Sequence, residues 1–323
     1  MHTKLLWPEG ASVIRPFKAA GAAAILSLLS LCLFAALGLA CGGGTSVSNG
    51  TPPVVQTPVP ANQPTFSHVV LVVEENHSYP DVIGNPAMPY INSLAQQYGL
   101  ATQYYSNAHP SLPNYFMLTT GLTVTTTDTF SGTINDDNVV RELVKAGKNW
   151  KCYAESLPPT GPAADVYPYV RRHNPFSYFS DVQGNAPQAA NIVSTAQLAT
   201  DVANNSLPQY SFIAPNLLDD AHDGSLAQAD AWLQTNIAPL LASPAFQSSG
   251  LLIITFDEGD QSDISHGGGH VATIIVSSKS KKNYTSQTLY QHQSLLRLTL
   301  AASGINTFPG AAAIAPDMTE FFQ

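Results

Sequence analysis

Ser67-His68-Val69-Val70-Leu71-Val72-Val73-Glu74-Glu75-Asn76-His77-Ser78 is the stretch on which the fold turns. From His68 to Val73 it is a continuous, mostly β-branched apolar run with no alternation, the pattern of a strand covered on both faces. The run ends on two carboxylates and an amide. Further strands are expected at Ala101–Ser106, Lys151–Ala154, Tyr210–Ala214, Leu251–Phe256 and Val271–Val276. Between them lie helical patterns: Pro89–Tyr98 stopped by Gly99, Ser111–Thr120 stopped by Gly121, Asp136–Ala146, Ser225–Leu241 and Gln293–Ala302. Alternating strands and helices predict an α/β three-layer sandwich with a mainly parallel central sheet. Residues 156–190, rich in Pro, Tyr and Asn, read as a loop excursion over the sheet edge. Ligands of such folds sit beyond the carboxyl ends of the strands, so the residues that follow each strand carry the functional reading.

Two of those positions hold carboxylate pairs, Glu74-Glu75-Asn76 and Asp257-Glu258-Gly259-Asp260. Carboxylates and an amide carbonyl are the donors that hard divalent cations take, although acidic residues also end strands simply because loops are solvated. A third feature is His109-Pro110-Ser111-Leu112-Pro113-Asn114-Tyr115, where prolines stiffen a turn and Ser111 opens a helix. Two readings fit Ser111: a helix cap, or a nucleophile beside a cation and free backbone amides. Pro215-Asn216-Leu217-Leu218-Asp219-Asp220-Ala221-His222-Asp223-Gly224 follows another strand, and His266-Gly267-Gly268-Gly269-His270 places two histidines around glycines that permit close backbone approach.

Taken in order, Glu75-Asn76-His77-Ser78, His109 through Tyr115, Pro215-Asn216 with Asp220 and His222-Asp223, Thr255-Phe256-Asp257-Glu258, Gly268-Gly269-His270-Val271 and His292 through Arg297 resemble the phosphoesterase family of bacterial acid phosphatases and phospholipases C. That family is a branch of the alkaline phosphatase superfamily, and the likeness spans nearly all of residues 67–306. It implies an alkaline-phosphatase-like fold and one divalent metal ion held by Glu75, Asn76, Asp257 and Glu258. Some relatives have Asp where Glu258 stands. Ser111 would be the nucleophile that is transiently phosphorylated. His222 and His270 would be the catalytic histidines, one of them protonating the leaving oxygen. His109, Asn114 and Asp223 would be on the substrate side, with Asn114 supporting the nucleophile turn, and His292 and Arg297 would be supports.

The implied activity is hydrolysis of phosphate monoesters, of acid phosphatase type and extending to phosphoinositides. Relatives that cleave phospholipids carry added C-terminal β domains, and little sequence follows the last helix here. The alternatives are a phospholipase C or other phosphodiesterase, and a surface-tethered protein that binds phosphate ligands without turning them over. A sulfatase-like hydrolase needs an Arg in a Ser-x-Pro-x-Arg context, and Tyr115 stands at that position.

The composition bounds these readings. The chain has 323 residues, of which 44% are apolar and only 11% charged, with a formal charge of −9. Lys4, Arg15, Lys18 and Glu9 leave the first forty residues at +2, so the remainder is more acidic still. No basic stripe for a nucleic-acid backbone exists, so a phosphate group must be met by a metal, histidines or a helix N-terminus. Three cysteines, Cys32, Cys41 and Cys152, make no disulfide framework, and Cys152 reads as a buried thiol.

Residues 1–41 read as an export signal, with Arg15 and Lys18 ahead of an apolar run from Ala19 to Ala40. Leu37-Gly38-Leu39-Ala40-Cys41 resembles a bacterial lipobox with Gly38 at the usual leucine position, which implies a lipid on Cys41. Ordinary cleavage nearby and an uncleaved anchor are the other readings, since the run is long enough to span a bilayer. An exported, membrane-tethered or periplasmic location is expected. Residues 42–66, rich in Gly, Ser, Thr and Pro, read as a flexible tether, and residues 67–323 as the catalytic domain.

Overall fold

A computed structural model describes residues 55–323. The expected export signal and Cys41 lie outside that range. Among the described residues no helix is long and apolar enough to cross a membrane.

The opening run forms β1 (His68–Glu74), and every residue from Val69 to Glu74 is buried, as an unalternating strand requires. The remaining strands are β2 (Gly99–Ala101), β3 (Tyr104–Tyr105), β4 (Trp150–Ala154), β5 (Ile192–Ser194), β6 (Tyr210–Ala214), β7 (Gly250–Phe256), β8 (Thr273–Ser277), β9 (Tyr284–Ser286) and β10 (Tyr290–Gln291). Eight of them make one sheet in the order β5-β4-β6-β1-β7-β8-β2-β9, with β3 and β10 paired apart. The five strands from β5 to β7 are all parallel, and only β8 runs against its neighbours. The predicted α/β class with a mainly parallel sheet is therefore what forms.

Three expectations are corrected. The strand expected at Ala101–Ser106 splits into β2 and β3 at a turn over Thr102 and Gln103, and Gly99, just past the helix Pro89–Gln97 that it was expected to stop, opens β2. Residues 156–190 are not an excursion over the edge. They hold two 3-10 turns, Arg171–His173 and Pro175–Tyr178, and bury His173, Asn174, Phe176, Tyr178 and Phe179. Polar-aromatic sequence without a period hid a segment whose burial comes from single side chains rather than from a regular face.

The third correction concerns the tether. Over residues 55–66 the chain is bound to the domain. Thr57 N donates to Ala313 O at 2.8 Å, Phe66 N to Ala302 O at 2.7 Å, and Phe66 is buried. Arg297, in the helix His292–Ala302, is 1% exposed and donates to the carbonyls of Thr57, Pro58, Ala312 and Ala313 at 2.6–3.2 Å. A Pro-rich segment has no side-chain period to announce docking, and one buried guanidinium with several donors can supply it.

Candidate active site

Three parallel strand ends are sewn together by their backbones. Glu75 N donates to Asp220 O at 2.8 Å and Asp257 N to Glu74 O at 2.9 Å, so the residues after β1, β6 and β7 share one crevice. Asn76 has φ 55°, a left-handed conformation that Asn tolerates, and this bend breaks the alternation of side chains leaving β1. Glu75 and Asn76 can then serve one site, while Glu74 points elsewhere.

Ser111 begins the helix Ser111–Thr120 and is 2% exposed. The N-cap position falls on Pro110, one residue ahead of it. The Ser111 Oγ instead donates to Glu75 Oε2 at 3.1 Å and lies 3.4 Å from Glu258 Oε1. The cap reading is thereby set aside, and the hydroxyl is aimed at carboxylates from two strand ends.

The turn ahead of Ser111 is held by Asn114, whose Oδ1 accepts from Asn107 N and Ala108 N at 3.1 Å and whose Nδ2 donates to Ala108 O at 2.7 Å. Placed on the substrate side by resemblance, Asn114 has its amide taken up by backbone and acts as the brace of the turn. Gly268 lies against the same turn: a Cβ there would collide with Ala108 O and Ser106 Oγ.

His109 is likewise occupied at both ring nitrogens. Nδ1 is 2.8 Å from Glu258 Oε2, and Nε2 donates to Asp263 O at 3.0 Å. It orients Glu258 rather than standing free for a substrate.

The remaining assignments separate. His222 is half-buried at the mouth, its Nδ1 2.7 Å from Asp223 Oδ1 and its Nε2 3.3 Å from Arg172 Nη2. Asp223 thus orients His222, and a carboxylate suits that better than contact with a phosphate. His270 stacks on Tyr79 and Tyr105 at 4.4 and 4.8 Å, and its Nε2 donates to Thr102 O at 3.0 Å. Burial lowers its pKa, and its hydrogen bonds do not reach Ser111. His292 supports the site from behind, with Nε2 donating to Asp257 O at 2.6 Å.

Sequence reasoning missed His173 and left Asp220 out of the site. His173 Nδ1 is 3.1 Å from Asp220 Oδ2, and its Nε2 is 3.1 Å from Glu75 Oε1 without making a hydrogen bond. Tyr115 OH donates to the same Glu75 Oε1 at 2.6 Å. Burial and then the Arg172 charge push the His173 pKa well down, so the ring is neutral. On the tautomer that carries its proton at Nδ1, toward Asp220, the Nε2 lone pair faces a carboxylate oxygen, an arrangement that favours a shared cation or proton. The available signal was Arg171-Arg172-His173, three basic residues together in a chain with so few.

The donor set fits a divalent cation. Asn76 Oδ1 and Asp257 Oδ2 are buried without a hydrogen-bond partner, an arrangement that is costly unless a ligand completes it. Asp257 Oδ1 is held by Asn76 N at 3.2 Å and Glu258 N at 2.6 Å, which fixes the direction of the free oxygen. Among the described residues, the acidic and histidine group whose ligand atoms all lie within 4.8 Å of one another is Glu75, His173 and Asp220, a set that shares only Glu75 with the expected ligands. Burial, and then the neighbouring Asp257 charge, raises Glu258 to about 9 and raises Glu75 well above the carboxylate range. Burial raises Asp257 to about 7 and Asp220 to about 8. Four carboxyls crowded in this way stay partly protonated until a cation neutralises them.

A serine hydroxyl set among inward-facing carboxylates at the carboxyl edge of a parallel sheet suits the class that the family match and the relatives establish, a phosphoric ester hydrolase. The chain belongs to the phosphoesterase family, whose family model matches residues 85–305. It is 34% identical over 264 residues to phosphatidylinositol-3-phosphatase of Mycobacterium tuberculosis, covering 80% of this chain and 84% of that one. It is 32% identical over 241 residues to a probable acid phosphatase of Kluyveromyces lactis, covering 72% of this chain but only 56% of that one, so it spans little more than half that relative's length. A protein in the alkaline phosphatase superfamily from Vibrio parahaemolyticus superposes with a TM-score of 0.57 at 13% identity, covering 85% of this chain and 77% of that one. That last likeness concerns the fold alone.

Proposed function

We propose that the protein hydrolyses phosphate monoesters, those of phosphoinositides included, through transient phosphorylation of Ser111 beside one divalent cation. The observation that carries this reading is the buried Ser111 Oγ, 3.1 Å from Glu75 Oε2 and 3.4 Å from Glu258 Oε1, in a ring of donors with unpartnered oxygens. Glu75, Asn76, Asp257 and Glu258 are the residues that would hold the cation, with Ser111 at its edge. A bound cation supplies charge neutralisation for the phosphoryl oxygens and a lowered hydroxyl pKa at Ser111.

The chain's own residues do the rest. The Asn114-braced turn keeps the hydroxyl in place, and its proton has Glu75 Oε2 as acceptor. Ser111 Oγ bonds to phosphorus as the ester P–O bond breaks, and His222, oriented by Asp223, protonates the departing oxygen. Water then attacks phosphorus as it gives a proton to the now neutral His222, the Ser111 O–P bond breaks with the proton held at Glu75 returning to Oγ, and phosphate leaves. The names of the two relatives support monoester substrates. Export and membrane attachment through Cys41 belong to the same proposal, supported by the order of basic, apolar and small residues ahead of it.

The reading is tested with purified protein on an aryl phosphate monoester and the matching diester, with and without chelator. A monoester offers three oxygens to cation and donors, and a diester offers two with a second bulky group, so the expected kcat/KM ratio is at least about a hundredfold, roughly 2.7 kcal/mol. Chelator should abolish both rates. Equal rates on the two esters would move the assignment to a phosphodiesterase.

A further inference from the structure

The 3-10 turn Arg171–His173 brings one imidazole against the residues that follow β1 and β6, where it is 2% exposed. Two contacts fix the ring of His173. It stacks on Tyr115, with centres 5.1 Å apart and planes within 9° of parallel, and its Nδ1 stands 3.1 Å from Asp220 Oδ2. The other nitrogen is left over. Nε2 lies 3.1 Å from Glu75 Oε1, but no hydrogen bond joins them, and Nε2 is buried without a partner. Glu75 Oε1 already accepts from Tyr115 OH at 2.6 Å. A buried polar atom in a ring held so firmly is costly unless something completes it.

The spacing points to a cation. Donors that share one ion at roughly 2.0–2.2 Å stand about 3 Å from one another. Glu75 shows that spacing at both of its oxygens: Oε2 is 3.1 Å from Ser111 Oγ, and Oε1 is 3.1 Å from His173 Nε2. A cation taken by both oxygens of Glu75 would have the nucleophile's hydroxyl on one side and the imidazole on the other.

Asp220 stands behind the ring. Its Oδ2 faces His173 Nδ1, and its Oδ1 accepts from His222 N at 2.8 Å, so both oxygens are engaged. A carboxylate on the far nitrogen is the usual backing of a metal-bound histidine, because it selects the tautomer that presents the near nitrogen to the ion. Carboxylate, amide and hydroxyl oxygens alone are the donors that magnesium and calcium take, whereas imidazole suits zinc and iron.

We infer that His173 is a ligand of the active-site cation through Nε2, with Asp220 as its positioning residue, and that this nitrogen makes the site one for a transition ion such as zinc or iron(II) rather than for magnesium or calcium. The inference rests on the reading of a cation beside Ser111.

Manganese added to chelator-stripped protein is the spectroscopic probe. Pulsed electron paramagnetic resonance should show one imidazole nitrogen coupled to the ion, lost in His173→Gln and kept in His222→Gln. Calorimetry then reads zinc and magnesium affinities. A preference for zinc is common to sites of many kinds, so the change on substitution decides. His173→Gln should weaken zinc by at least about a hundredfold and magnesium by less than about threefold, and Asp220→Asn should weaken zinc by about tenfold. Thermal melts check that each variant is folded. If one is not, the signals of the unaltered protein and of His222→Gln still decide. No coupled nitrogen in the unaltered protein, a nitrogen that survives His173→Gln or disappears in folded His222→Gln, or equal losses of zinc and magnesium would overturn the assignment. Turnover of a phosphate monoester is scored separately. An enzyme that needs its cation but shows no coupled nitrogen sinks only the role of His173, and a nitrogen-bound ion in a protein that turns nothing over sinks only the catalytic reading.

Discussion

The Ser111 hydroxyl is the group proposed to bond to phosphorus, and its replacement leaves the surrounding charge intact. Ser111→Ala should lower kcat by at least about a thousandfold, roughly 4 kcal/mol of barrier, with little change in melting temperature. Retention of a tenth of the activity would rule out a phosphoserine. The carboxyls give a second prediction at this scale. Asp257, Asp220 and Glu258 are raised by burial to about 7, 8 and 9, against about 4 in an unfolded chain. Between those values the folded state holds more protons than the unfolded one, so stability falls as pH rises through the window from about 4 to about 9. Chelated protein should therefore melt lower at pH 8 than at pH 5, and a divalent cation, which binds the ionised folded site, should reduce that loss. Chelated protein that melts higher at pH 8, or indifference to the cation, would contradict the assignment of these groups to a metal centre.

Among the elements, the strands with unbroken apolar runs were legible, because burial on both faces writes itself into local sequence: β1, β6 and β7 fall within a residue or two of expectation. The short edge strand β5 and the 3-10 turns around His173 were not legible, because three or four residues carry no period. The 55–66 strap was read as a tether for the same reason. Its docking depends on the His292–Ala302 helix and on Arg297 within it. Arg297→Met keeps bulk but strips four carbonyls of their donor, two of them in the strap. The expected loss is about 3 kcal/mol. Limited proteolysis should then cut between residues 55 and 66 well before the rest of the domain unfolds, and an unchanged melt with a resistant strap would show that apolar contacts alone hold it.

At the scale of the whole molecule, the proposed lipid on Cys41 would hold the protein at a membrane surface. Cys41→Ser tests that arrangement. Membrane fractions of the producing cell should lose the protein or accumulate an unprocessed form, because stable attachment needs the several acyl chains of a lipoprotein. An untreated sample that carries no lipid and starts at another residue would leave export as the only surviving part.

The sequence by itself determined the buried strands β1, β4, β6, β7 and β8 and which polar residues follow them, since a buried strand and the carboxylates at its end are neighbours in the chain. The grouping of Glu75, Asn76, Ser111, Asp257 and Glu258 came from the likeness to the phosphoesterase family, because nothing in the local sequence of either carboxylate pair or of Ser111 points to the others. Only the tertiary structure decided which oxygen faces which hydroxyl, that His109 and Asn114 brace rather than bind, and that His173 belongs to the site. Asn76 meets Asp257 across 181 residues and His109 meets Glu258 across 149. Such contacts follow from β1 lying between β6 and β7, and strand order in a sheet is set by the packing of the whole chain, which no local period records.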